Sequence, residues 1–151
     1  MRFQGVYYNS IDPKGRASIP AKFRELLKEF CEDEGLVVTQ DLSGIVAYPV
    51  SEWNTFLENF DKLPDDPFRE DLYFTTVTPA THCAFDKQGR IQLPQSLREY
   101  CQLDTDGMRD VVVVGGGKKI QIWNKARYLE KLAEASQRQA DARQKRIDLG
   151  L

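Results

Sequence analysis

The chain has 151 residues, of which 41% are hydrophobic, enough for one ordinary core or two very small ones. Its longest apolar run, Val111-Val112-Val113-Val114, is far short of the ~20 residues of a membrane span, and Met1-Arg2-Phe3-Gln4-Gly5 is no apolar signal region, so the expected location is the cytoplasm. The formal net charge of −2 hides segregation: residues 1–28 carry six basic and two acidic side chains, residues 29–75 two and twelve, residues 76–123 six and five, and residues 124–151 seven and four. Exposed charges more than about 10 Å apart are largely screened at ordinary salt, so a weakly acidic chain can still bind a polyanion through one basic face.

In chain order, Val6 to Ile11 is rich in tyrosine and β-branched residues and predicts a strand ending at Asp12-Pro13-Lys14-Gly15. Asp opens a turn, Pro fixes φ at its second position, and Gly accepts the left-handed conformation that closes a bulged hairpin. A short strand Ala17–Ile19 follows, and Pro20 suits a helix start. Phe23, Leu26, Leu27 and Phe30 then fall at i, i+3, i+4, i+7 as an apolar stripe, with Lys22, Arg24 and Lys28 largely off it. Leu36–Thr39 and Ile45–Tyr48 predict a hairpin across Asp41-Leu42-Ser43-Gly44. Ser51 sits where a helix N-cap belongs, ahead of a second stripe, Trp53, Phe56, Leu57 and Phe60. Residues 61–71, acidic with two prolines, read as a linker.

The order then repeats. Residue n against n+74 pairs Asp12 with Asp86, Gly15 with Gly89, Arg16 with Arg90, Pro20 with Pro94, Arg24 with Arg98 and Glu25 with Glu99. At offset 75, Val37 meets Val112, Tyr48 meets Trp123 and Trp53 meets Tyr128. Fixed-period self-similarity is the strongest architectural signal in the chain. Val111–Val114 and Ile120–Trp123 form the second predicted hairpin, across Gly115-Gly116-Gly117-Lys118, and Asn124 is the second predicted cap. The glycine run is no phosphate cradle, because GxxxxGK[ST] is absent and the matching turn in the first half is not glycine-rich. From Lys131 onward the tail lacks a full apolar face after Leu132 and predicts a frayed or partner-dependent helix.

Chemistry for catalysis is sparse. Cys31, Cys83 and Cys101 form no CxxC or Cys/His cluster and read as buried reduced thiols, and His82 is the only histidine. No metal, cofactor or catalytic residue is expected. The carboxylates of residues 58–71 are Pro-broken and lack a histidine, which suits a solvated linker better than an acid/base site. The repeated DxxGR turn remains. Taken singly, it reads as a tight turn tied by an Asp-Arg bond. Both copies keep the Arg, however, and the basic surplus lies at these turns and the helices behind them; an Arg at a hairpin tip is a fork for phosphate oxygens and for guanine edges.

"DPKGRASIPAKFRE" and "DKQGRIQLPQSLRE", each followed by a hairpin ending in an aromatic residue and a helix bearing Trp or Tyr, resemble the MraZ transcriptional regulators. These are bacterial proteins with two tandem AbrB-like (SpoVT-AbrB) repeats, and the resemblance runs from about Gly5 to Tyr128. It implies an α+β, mainly β fold: a duplicated, swapped-hairpin, double-psi-like β-barrel with short flanking helices, in which one chain imitates a dimer. The expected divisions are a first repeat over 5–51, a helix and acidic linker over 52–78, a second repeat over 79–126 and a helical tail over 127–151. The resemblance also implies a homo-oligomeric ring, nucleoid association, and repression through short direct repeats upstream of a division and cell-wall gene cluster. It makes Arg16 and Arg90 the expected contacts to double-stranded DNA, with Asp12 and Asp86 orienting them and Gly15 and Gly89 shaping the turns. Lys14 matches the basic residue at the first tip; its equivalent is Gln88, neutral but able to read adenine. Lys22 joins this set, and Arg24 and Arg98 are helix arginines for which DNA contact and a structural ion pair both stand. An AbrB-like antitoxin or protein-interaction module is the alternative. The chain departs from the family pattern at Met1-Arg2-Phe3-Gln4-Gly5 and at His82-Cys83.

Overall fold

The computed structural model describes residues 1–41, 44–103 and 109–151. The first half folds as β1 (Val6–Ser10), β2 (Arg16–Ser18), α1 (Ala21–Phe30), β3 (Leu36–Gln40), β4 (Ile45–Pro49) and α2 (Val50–Asp61). A helix α3 (Pro67–Leu72) and a single π-helical turn (Tyr73–Val77) lead to the second half. There β5 (Thr81–Cys83), β6 (Arg90–Gln92), α4 (Gln95–Tyr100), β7 (Asp110–Gly115), β8 (Ile120–Asn124) and α5 (Lys125–Asp141) repeat the order, and α6 (Arg143–Asp148) ends the chain. The fold is α+β with an antiparallel sheet and several short helices.

Six strands form one sheet in the order β1-β7-β8-β4-β3-β5, and β2 pairs with β6 in a separate ribbon. Among the described residues the larger sheet has two ends and does not close on itself. Its pairings cross between halves. β1 lies against β7, with Val6 opposite Val114 and Ser10 opposite Asp110, whereas β5 lies against β3, with Leu36 opposite Cys83. The two hairpins meet at the centre, where β4 pairs with β8. Each half therefore supplies an outer strand to the other half's hairpin.

Side chains alternate across a strand, so each hairpin presents two faces. Leu36, Val38, Ile45, Ala47, Val111, Val113, Ile120 and Ile122 join the main core with Phe3, Phe23, Leu27, Ile91, Leu93 and Leu97. Val37, Val46 and Val112 alternate with them and are also buried; α2 packs on β3 and β4, and α5 on β7 and β8. This two-sided cover explains why the hairpins read as continuous apolar runs. Phe23 anchors α1, with its ring edge-on to Phe3 and Tyr7 at 5.4 and 5.3 Å.

Three local readings differ from expectation. Ser51 lies inside α2 and caps nothing; Pro49 precedes the helix, its fixed φ of −52° ending β4 and leading into α2. Pro49 is the offset-75 equivalent of Asn124, which does cap α5, accepting from the Arg127 N–H at 3.2 Å. Phe30 is 56% exposed although it keeps the stripe's period, because it is the last residue of α1, beyond the buried Leu27. The linker is helical over Pro67–Leu72: Asp66 accepts from the Arg69 N–H at 3.1 Å, Pro67 starts the helix, and the Arg69 guanidinium stacks over Phe60 at 4.4 Å. Thr39 Oγ donates to the Thr76 carbonyl at 2.6 Å and Thr76 Oγ to the Gln40 carbonyl at 3.1 Å, which pins the π turn to β3. Of the predicted first-hairpin turn, Leu42 and Ser43 lie outside the described residues.

Candidate nucleic-acid interface

The two DxxGR turns have the same wiring. In the first, Asp12 Oδ1 accepts from the Lys14 N–H at 3.0 Å and the Arg16 N–H at 2.8 Å, while Oδ2 accepts from Arg16 Nε at 2.5 Å. In the second, Asp86 Oδ1 accepts from Gln88 and Arg90 N–H groups at 2.9 Å, and Oδ2 from Arg90 Nε at 2.9 Å. In each turn the Asp both builds the turn and, through Nε, orients the guanidinium. No described residue engages the two terminal nitrogens of Arg16, whose side chain is 31% exposed. Arg90 is 24% exposed and donates Nη1 to Asp12 Oδ2 at 3.4 Å.

The backbone hydrogen bonds from Arg16 and Arg90 are the largest influence holding the Asp12 and Asp86 carboxyls below the usual carboxylate value of 3.8. A depressed folded value means the stabilisation is whole above the unfolded value and fades as pH falls through the folded one. Thermal melts from pH 7 to pH 2 are therefore expected to be flat in this contribution above about pH 5 and to decline below about pH 4. An Asp12→Asn/Asp86→Asn variant should decline less steeply; an equal acid slope would refute the role given to these carboxylates.

Gly15 and Gly89 adopt φ of +82° and +75°, the left-handed region that favours glycine. A second reason for glycine comes from the other half. A Cβ at Gly15 would fall within the Arg98 guanidinium, and a Cβ at Gly89 within that of Arg24. Each helix arginine thus lies under the opposite tip. Arg24 Nε also donates to the Ile19 carbonyl at 3.1 Å, and Arg98 Nη1 to the Leu93 carbonyl at 2.5 Å. Of the two readings open for these arginines, the geometry gives the structural one a specific form, with hydrogen bonds to backbone carbonyls.

The tips are also joined directly. Arg16 stands opposite Gln92 and Ser18 opposite Arg90 in the β2–β6 ribbon. Ile19 N–H donates to the Gly89 carbonyl and Leu93 N–H to the Gly15 carbonyl, both at 3.1 Å. Gln92 Nε2 donates to the Lys14 carbonyl at 2.7 Å, a tip-positioning contact that sequence reading missed because it depends on register across the halves. Lys14, Arg16, Gln88 and Arg90 are therefore brought into one assembly. Lys22 is exposed on α1, and no described hydrogen bond or ion pair ties it to a tip.

His82 has a local explanation. It stands opposite Val37 in the β3–β5 pairing, and its Nε2 lies 3.1 Å from Asp33 Oδ2; a Cβ at Gly35 would lie 2.6 Å from that nitrogen. Of the thiols, Cys83 and Cys101 are buried and Cys31 partly so; burial pushes the Cys101 thiol up to about 12. Among the described residues no three His, Cys, Asp or Glu side chains gather as a metal site, and no helix is long and apolar enough to cross a membrane.

A protein-family model described as "MraZ protein, putative antitoxin-like" matches residues 76–148. The transcriptional regulator MraZ of Syntrophotalea carbinolica is 48% identical over 135 residues, which cover 89% of this chain and 89% of that protein. The chain belongs to the MraZ family. Other MraZ relatives span it more fully: the transcriptional regulators MraZ of Pediococcus pentosaceus and of Desulfitobacterium hafniense strain Y51 are 37% and 36% identical, each with 99% of both chains covered. The likeness to the MraZ family thus takes in both DxxGR turns and the elements between them.

Proposed function

We propose that this chain is a DNA-binding transcriptional repressor without enzymatic activity, reading promoter direct repeats with its paired tips. The observation that carries the reading is the joined assembly of Lys14, Arg16, Gln88 and Arg90, in which Asp12 and Asp86 aim two arginine forks. Arginine forks fit guanine edges in the major groove, and the surrounding cations fit phosphates. The relatives' designation as transcriptional regulators supports the same function.

The exchanged outer strands, β1 on β7 and β5 on β3, support a duplicated AbrB-like pseudo-dimer of the barrel type, with repeats over 5–51 and 79–126 and the tail over 127–151 outside them. One subunit offers few base contacts, so affinity rests on several subunits of a ring engaging spaced repeats together. Linked weak sites gain about 10²–10⁴ in avidity when geometry lets them bind at once. The targets in this reading are the chain's own promoter and the division and cell-wall genes downstream, and its place is the cytoplasmic nucleoid.

The direct test is a footprint on DNA upstream of the gene, with affinity measured across a salt series. Protection of regularly spaced repeats is expected, with log K falling against log[salt] by about 0.9 per phosphate neutralised. A slope near zero would refute DNA as the partner. The family description "antitoxin-like" favours a second reading, a protein-interaction module whose exposed tail carries the binding segment. Stoichiometric capture of a protein through residues 127–151, with no footprint, would favour it.

A further inference from the structure

The two tips differ in their surroundings more than in their wiring. Beside the second tip, Arg24, Lys28, Glu34, Phe85, Asp86, Lys87 and Gly89 line a cleft of about 220 Å³. Arg24 and Lys28 are one turn apart on α1, so a helix of the first half forms one wall and the second half's turn the other. The charges in the cleft differ in how they are engaged. Arg24 is held under Gly89 with Nε on the Ile19 carbonyl, and Asp86 is held by Gln88 and Arg90. Lys28, Lys87 and Glu34 are exposed and belong to neither network.

Among the described residues the first tip shows no matching pair of lysines. At offset 74, Lys87 corresponds to Pro13 and Lys28 to Gln102. α4 also ends at Tyr100, so no helical turn continues past Arg98 to carry a second cation, and Gln102 takes φ of +55°. Conversely, Lys14 stands where the second tip has Gln88.

We infer that the cleft between α1 and the second tip seats a backbone phosphate of bound DNA, with Lys28 and Lys87 as its two ligands. This rests on the DNA-binding reading above and adds a division of labour: the first tip, with Lys14 and the more exposed Arg16 fork, carries more of the sequence discrimination, and the second tip adds an anchor for the strand beside its own fork. Lysine suits this role as a point charge that holds phosphate without reading bases. Glu34 opposes the anion and limits its affinity.

The test uses the full chain and fluorescence anisotropy on two duplexes, the footprinted promoter site and a scrambled one, across a salt series. Lys28→Ala/Lys87→Ala is expected to weaken both duplexes by the same several-fold factor. It should reduce the salt slope by about 0.9 per engaged subunit and leave the ratio between duplexes unchanged. Glu34→Gln should tighten both, an effect of the opposite sign that misfolding would not produce. Unaltered affinity and slope in the lysine variant, while Arg16→Ala loses the promoter site, would overturn the seat and leave the DNA reading standing. A loss confined to the promoter duplex would make these lysines base readers and also overturn it. Wild-type chain that binds neither duplex would overturn both.

Discussion

Arg16→Ala is expected to remove nearly all preference for the promoter repeats while leaving the chain folded. The Nε bond to Asp12 presents the rest of the guanidinium outward, and Arg16 is the more exposed of the two tip arginines. At about 1–3 kcal/mol per lost base contact, two engaged subunits lose about 2–6 kcal/mol, or about thirtyfold to twenty-thousandfold in affinity. The turn should survive, because Asp12 still accepts from the Lys14 and residue-16 N–H groups. Arg16→Lys separates charge from shape: it should keep most of the affinity for scrambled duplex and lose discrimination, since an ammonium cannot form the planar fork. Promoter affinity equal to wild type in a folded Arg16→Ala chain would remove Arg16 from the interface.

Gly15→Ala should be the most damaging conservative change at the first tip, through two additive causes. A non-glycine residue at φ of +82° costs about 1–3 kcal/mol. The new methyl also displaces the Arg98 guanidinium, and a hydrogen bond from a charged donor contributes about 1.5–3 kcal/mol. A loss of about 2.5–6 kcal/mol is therefore expected in urea unfolding. The diagnostic is the double variant. Removing the guanidinium by Arg98→Ala relieves the collision, so Gly15→Ala/Arg98→Ala should be more stable than the sum of the two single losses, by about 0.5–3 kcal/mol. Strict additivity would contradict a contact between residues 83 positions apart.

Much of this arrangement is legible in the sequence, and the part that is not has a physical cause. The turn chemistry of Asp12-Pro13-Lys14-Gly15, the stripe led by Phe23 and the cap at Asn124 are local, and local rules place them. Ser51 shows how a local rule fails: a serine near a helix start resembles a cap, yet the fixed φ of Pro49 begins the helix earlier. Phe30 follows the stripe's period, and only the end of α1 leaves it exposed. The candidate interface divides in the same way. Asp12–Arg16 and Asp86–Arg90 are i, i+4 pairs that the chain itself announces. Gln92 on Lys14, Arg90 on Asp12 and each helix arginine under the opposite glycine depend on register between strands roughly 75 residues apart. The 74-residue period shows that the halves match without showing how they interlock.

That interlock binds the fate of each half to the other. Arg98 belongs to the second half of the chain and Gly15 to the first, so a substitution at that arginine reaches the turn of the other half. Neither half can change its helix arginine without disturbing the packing beneath the other half's turn glycine. The difference between Lys14 and Gln88 falls on two exposed side chains, where it leaves the shared turn wiring intact.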